Sequence, residues 1–151
     1  MPEARIRFAE LDCWDLDDHA AEDFNRLLPQ LSRSASSVDA DWLQYALEKG
    51  TRFFVAYDGE HIISVVLLIP MVGLVGQKDW IEDVVTDEAY RGQGIAKRLM
   101  EMAHEASEAG VAKSVNLTSN PDRVEARRLY QDHFGYEIRQ TGVFRRTHDR
   151  S

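Results

Sequence analysis

The segment Trp80 to Met100, WIEDVVTDEAYRGQGIAKRLM, constrains this chain more than any other stretch. Trp80 to Thr86 reads as a strand. Gly92 to Ala109 reads as a long amphipathic helix, with Ile95, Leu99, Met102, Ala103 and Ala106 as its apolar stripe and Gly110 as its stop. Between them stands the turn Arg91-Gly92-Gln93-Gly94. A strand that passes through a glycine turn into an amphipathic helix lays that helix back over a sheet, which predicts an α/β architecture. Two glycines at a helix start also leave backbone N–H groups uncovered at the positive end of the helix dipole. Such a turn is suited to an anion, and a pyrophosphate is a natural ligand. Arg91, Lys97 and Arg98 bring positive charge to the same place.

The rest of the chain supplies a sheet for that helix. Arg5 to Phe8 is expected as a first strand. His19 to Leu28 is expected as a helix that stops before Pro29, and Asp39 to Lys49 as a second helix that stops at Gly50. Arg52 to Tyr57 and His61 to Ile69 read as strands joined by a tight turn at Asp58-Gly59. Pro70 to Lys78 reads as a loop or an irregular hairpin end. Lys113 to Thr118 is expected as a strand. Pro121 to His133 is expected as a helix with Pro121 in its first turn and Asp122 and Glu125 as a capping pair. Tyr136 to Gln140 and Val143 to Arg146 are expected as a final hairpin turned at Thr141-Gly142. The order is β-α-α-β-β-β-α-β-α-β-β, a single mixed-sheet domain over residues 1–151, with no internal repeat or linker to divide it.

Composition removes several function classes. The chain has 151 residues and a formal net charge of −8, which argues against binding nucleic acid by bulk charge. The lone Cys13 allows no intrachain disulfide and no cysteine zinc cluster. The longest apolar run, Ile62 to Ile69, falls far short of the ~20 residues of a membrane helix. The start MPEARIRF has no apolar signal core. Together these features favour the cytosol. His19, His61, His104, His133 and His148 show no H-x-x-x-H ligand spacing, so no metal is expected. Trp14, Trp42 and Trp80 read as core or site-wall residues. Glu10, Asp12, Asp15, Asp17, Asp18, Glu22 and Asp23 form the densest acidic stretch. It reads either as a solvated face or as a rim that attracts a cationic acceptor.

The glycine turn is neither G-x-G-x-x-G with a distant acid nor a Gly-Lys-Ser/Thr loop, so two familiar nucleotide sites are set aside. RGQGIA instead is similar to the R/Q-x-x-G-x-G/A motif of the GNAT acetyltransferase superfamily, with Arg91, Gly94 and Ala96 in the key places. LTSNPDRVEARRLYQDHFGYE, Leu117 to Glu137, resembles that family's fifth strand, fourth helix and LYxxxGF ending. The chain departs from the pattern at three points. Gly-Phe is Gly135-Tyr136, one residue is inserted after Tyr130, and an asparagine often seven residues before the tyrosine is Arg123, with Asn120 nearby.

The resemblance implies a single-domain GNAT acyl-CoA N-acyltransferase fold. Its sheet is mixed and mostly antiparallel, with splayed central strands and about four flanking helices. It implies acetyl transfer from acetyl-CoA to a primary amine of a small molecule or peptide, with no metal and with a homodimer as one possible assembly. The backbones of Val84, Val85 and Thr86 would lie beside the pantetheine arm. The pyrophosphate would sit on the N–H groups of Gln93, Gly94, Ile95, Ala96 and Lys97, with Arg91 and Gly92 in the same turn and Asn120 and Arg123 as further cofactor contacts. Direct attack by an amine needs a donor for the developing oxyanion, a base and a proton for the leaving thiolate. A backbone N–H of Val84 or Val85 suits the first role. Tyr130 suits the last, although it also shares a helix face with Ala126, Leu129 and His133, which packing alone would explain. Glu82 and Asp83 are the candidate bases, with proton removal through water and no dedicated base as the alternative. A regular strand points them to opposite faces, so only one would reach the site unless a bulge intervenes. Two alternatives stand beside this reading. One is a glucosamine-phosphate N-acetyltransferase, suggested by IEDVV before the turn; the other is a non-catalytic acyl-CoA-binding module.

Overall fold

The computed structural model describes residues 5–150. These form two compact units, one ending at Leu117 and the other beginning at Thr118. The first unit is a five-stranded mixed sheet in the order β1-β2-β3-β4-β5. Its strands are β1 (Ile6–Glu10), β2 (Arg52–Asp58), β3 (His61–Gly73), β4 (Gly76–Thr86) and β5 (Val115–Asn116). The first four pair antiparallel and β5 pairs parallel to β4. Helices α1 (Asp18–Leu31) and α2 (Ala40–Glu48) cover one face. Helix α3 (Ile95–Ala109) lies against β2, β3 and β4.

The central strands are buried on both sides, so they read as continuous apolar runs. Phe53, Val55 and Val65 join Phe24, Leu27 and Leu43 of the first two helices in one cluster. Their neighbours Phe54, Ala56 and Val66 are equally buried, as are Leu99, Met100 and Ala103 of α3. Asp17 caps α1 by accepting from the Ala20 N–H, and Asp39 caps α2 by accepting from the Trp42 N–H.

Several boundaries differ from expectation. Helix α1 runs through Pro29 to Leu31. One proline near a C-terminus costs a single backbone bond, and the added turn packs Leu31 against the core. Pro70 to Lys78 is not a loop, because β3 and β4 extend through it to a tip at Leu74-Val75. Pro70 is tolerated because β2 has ended at Arg52, opposite Leu68, which leaves β3 with a single strand neighbour there. The β2–β3 turn is Gly59-Glu60, one residue later than expected, with Gly59 at φ +61°. Helix α3 starts at Ile95 rather than Gly92, since Gly92 and Gly94 hold left-handed φ values of 79° and 76°. Strand β5 is only two residues long, not Lys113 to Thr118.

In the second unit the expected helix is α4 (Val124–Arg128) followed by a π-helical turn at Leu129–His133. Pro121 does not open the helix. The Asn120 carboxamide accepts from the Asp122 N–H and holds that stretch in a turn. The Asp122–Glu125 capping pair does not form, because Arg123 stands at the cap and no side chain caps the helix. The final hairpin is absent as well. Residues 134–150 contain no strand, in keeping with the marginal stability of an isolated two-stranded hairpin.

Candidate active site

Strand β4 carries a bulge at the two candidate bases. Val65 pairs with Val85 and Leu67 pairs with Glu82, so Asp83 and Val84 together oppose Val66. Asp83 takes φ +53°, a conformation that asparagine and aspartate enter more readily than other residues with a side chain. The extra residue breaks the strand's alternation. Glu82 shares the face of its partner Leu67, and Asp83 lines a cavity on that same face. Both carboxylates thus reach one side of the sheet.

The cavity lies between α1, α2 and the sheet and spans about 550 Å³, counting its open mouth. Phe24, Leu31, Trp42, Phe53 and Leu67 are among its walls. Partial desolvation against the cavity wall pushes the Asp83 carboxyl above the ordinary aspartate range, although the residue stays exposed. Burial, and then the charge of Asp83, does the same to Glu82. Asp83 has no hydrogen-bond or ion-pair partner among the described residues.

The outer edge of β4 is open beyond Trp80. Pairing with β5 covers only Asp79↔Val115 and Trp80↔Asn116, so Val84, Val85 and Thr86 present a backbone edge that β5 does not pair. The turn Arg91–Gly94 follows a 3-10 turn at Glu88–Tyr90. A Cβ at Gly92 or Gly94 would meet nothing within 4 Å, so the space above both is free. No side chain caps α3, and its first internal bond runs from the Arg98 N–H to the Gly94 carbonyl. The N–H groups of the first turn, Ile95 to Lys97, are therefore the donors on offer.

The basic residues of this region divide. Arg91 turns inward: its Nε donates to the Thr86 carbonyl at 3.1 Å and its Nη2 to Gln30 of α1 at 3.2 Å. Arg98 pairs with Glu101 at 3.5 Å and Glu105 at 3.9 Å. The Arg91 guanidinium thus braces the turn.

In the second unit, Tyr130 lies in the π-helical turn at 7% exposure, edge-on to Tyr136 with ring centroids 6.1 Å apart. The Tyr136 N–H donates to the Tyr130 carbonyl at 2.9 Å. Asn120 and Arg123 belong to one turn, in which the Arg123 N–H donates to the Asn120 carbonyl.

The acidic stretch is mostly consumed by the fold. Glu10 pairs with Arg52 at 2.6 Å, and Asp12 accepts from the Trp14 N–H. Asp15 accepts from the Asp12 N–H, and Asp17 caps α1. Asp23 is 1% exposed and accepts from the Ile62 N–H at 2.9 Å, from Arg26 and from His61. His19, Asp23 and His61 bring their ligand-type atoms within 4.8 Å of one another. Sequence spacing missed this trio because His61 joins from a distant strand, although His19 and Asp23 stand one helical turn apart. Trp42 lines the cavity as expected of a site wall, whereas Trp14 is exposed.

A mixed sheet with an open β4 edge, a glycine cradle at a helix start and an acid-bearing bulge define an acyltransferase fold. The chain belongs to the acetyltransferase (GNAT) family, whose sequence profile matches residues 13–136. An uncharacterised N-acetyltransferase of Bacillus subtilis, YhdJ, is 28% identical over 132 residues, which is 83% of this chain and 92% of that protein. An aminoglycoside acetyltransferase from an uncultured soil metagenomic sample, crystallised with trehalose, superposes with a TM-score of 0.80 at 20% identity, covering 95% of this chain and 97% of its own. Glucosamine-6-phosphate N-acetyltransferase from Arabidopsis thaliana superposes with a TM-score of 0.74 at 17% identity, covering 94% and 98%. Among the described residues no helix is long and apolar enough to cross a membrane.

Proposed function

We propose that the whole chain acts as one cytosolic N-acetyltransferase domain that uses acetyl-CoA to acetylate a primary amine. The observation that carries this reading is the bulge in β4. It sets Asp83, exposed and without a partner among the described residues, on the wall of a cavity, in a strand that leads into the open glycine cradle. The cradle fits a pyrophosphate, since Gly92 and Gly94 leave room for it and the first amides of α3 point donors at it. The β4 edge at Val84 to Thr86 offers backbone groups to an amide-bearing arm.

Acetyl-CoA supplies an acyl group activated as a thioester, and transfer leaves an amide and a free thiol. Asp83 receives the proton that the amine sheds. Its raised pKa makes it a stronger base than an ordinary aspartate, and the neighbouring Glu82 is the second acid at the bulge. A backbone N–H of Val84 or Val85 steadies the developing oxyanion. The Tyr130 hydroxyl gives a proton to the departing sulfur, so one proton leaves nitrogen and one reaches sulfur. Asn120 and Arg123 are proposed as cofactor contacts on the family motif alone. The test is twofold: acetyl-CoA should raise the melting temperature, and thiol should be released when an amine panel is added. No thermal shift at millimolar acetyl-CoA refutes the cofactor, and a shift without turnover on any amine supports the non-catalytic alternative.

A further inference from the structure

We propose that the acceptor is a primary amine carried on an apolar body, alkyl or aryl, whose hydrocarbon part fills the cavity between α1, α2 and the sheet while its nitrogen meets Asp83. This rests on the acetyltransferase reading and goes beyond it by naming the acceptor's chemistry. Among the described residues lining the cavity, Asp83 alone is charged, and the rest are aliphatic or aromatic. Leu28, Leu31, Val38 and Ala46 are only half-buried, so a ligand can still remove their surface from water. The exposed Trp42 stands at the same wall.

Three physical arguments select this acceptor. Covering half-buried apolar side chains with hydrocarbon is favourable in proportion to the area removed from water. A sugar hydroxyl or a second ammonium placed there would lose its hydrogen bonds to water and find no partner in return. A phosphate would bring negative charge toward Asp83 and Glu82 and be repelled. The lone carboxylate is the converse case. It sits exposed at the edge of an apolar wall, without a partner among the described residues and in a left-handed conformation uncommon for any residue but glycine, where an acceptor's nitrogen can pair with it while the hydrocarbon enters the cavity. No other acid lines the cavity among the described residues, and Asp17 and Asp23 of the α1 region are bonded within the fold.

Binding can be read without the cofactor, through the fluorescence of Trp42, with Trp42→Phe as the control that removes the signal. A series of straight-chain primary amines of increasing length is titrated beside 2-phenylethylamine, spermidine and glucosamine 6-phosphate. The expected result is affinity that rises about fourfold per added methylene until the cavity is filled, with spermidine and the sugar phosphate at least tenfold weaker than the best alkyl or aryl amine. Leu67→Gln, which places an amide on the half-buried wall, should flatten the chain-length dependence. Leu28→Gln does the same from the helix side if the first variant fails to fold. Affinity that ignores chain length, or that favours spermidine or the sugar phosphate, overturns the proposal. Acetyl-CoA thermal shift on the same sample reports separately on the enzyme reading, so either can fail alone.

Discussion

Asp23 and Asp83 are the same residue type in surroundings that treat them in opposite ways. Asp23, on α1, is sealed at 1% exposure and spends its oxygens on the Ile62 N–H, Arg26 and His61. Asp83, on the β4 bulge, is exposed and lines an apolar cavity with no partner among the described residues, and desolvation there raises its pKa. A satisfied carboxylate ties a helix to a strand. An exposed one, held by water alone at a cavity wall, is left for a substrate to meet. The two corners therefore divide stability from chemistry, and substitutions should separate them.

The largest effect is expected on the chemical side. Asp83→Asn keeps the bulge, because asparagine also accepts positive φ, but it removes the base. Turnover with a good amine should fall by about 10²–10⁴-fold, with melting unchanged or slightly raised. Tyr130→Phe should cost a similar factor at unchanged acetyl-CoA affinity, since the ring still packs on Tyr136. Normal turnover in Asp83→Asn would put Asp83 in the same structural class as Asp23. Normal turnover in Tyr130→Phe would reduce that residue to a packing role.

The glycine cradle comes next. Acetyl-CoA at 100 times its dissociation constant should stabilise the parent protein by about 2.7 kcal/mol. Gly94→Val should lose that gain, because its side chain enters the space the phosphates need and strains a φ of +76°. Arg91→Ala is the sharper comparison. Its guanidinium braces Thr86 and Gln30, so melting should drop even without cofactor. A parent-like melting temperature with weakened acetyl-CoA binding would instead place Arg91 on the phosphates.

A smaller loss is expected at the structural corner. Asp23→Ala strands the buried Ile62 N–H and should cost about 1–3 kcal/mol, while Arg26 and His61, both reached by solvent, rehydrate. Calorimetric melting checks it, and kcat/KM at a temperature where the variant is folded should stay near the parent value. A selective kinetic defect there would break the division between the two corners.

What the sequence displayed follows the same division. The cradle was legible because its requirement is local: two glycines at a helix start announce backbone that no side chain may cover. The paired strands and the first three helices were legible from periodicity. The bulge was visible only as a possibility, since the residue that takes positive φ is an aspartate and carries no glycine to mark it. The cavity was not legible, because Leu31, Val38 and Leu67 look like any core residues until their neighbours are known. The charge of Arg91 is readable in sequence, whereas its bonds to Thr86 and Gln30 are not. The acidic stretch is visible in sequence as charge, whereas the N–H groups and arginines that bond Glu10, Asp12, Asp15, Asp17 and Asp23 come from packing. The final hairpin was expected from alternation alone, which cannot supply the neighbouring strand a hairpin needs.

The smallest expected effect separates the two corners by pH. At the bulge, Asp83 and Glu82 have raised pKa values in the folded protein, so between the unfolded and folded values the native state holds more protons. Stability there falls as pH rises, starting from about 4. At the other corner His19 is also raised, first by its bond to the Glu60 carbonyl and then by the charge of Asp23. The unfolded histidine titrates near about 6.5. Its contribution is fully present below that value and is lost as pH rises through the higher folded pKa. The two windows start from different values, so melting temperature should decline in two steps, one starting from about 4 and one starting from about 6.5. His19→Gln should remove only the upper step and Asp83→Asn should reduce only the lower. The histidine step is small, because the ring is exposed and solvent screens it. An upper step that survives His19→Gln would assign it to another group, and an upper step that vanishes in Asp83→Asn would show that the two corners titrate together.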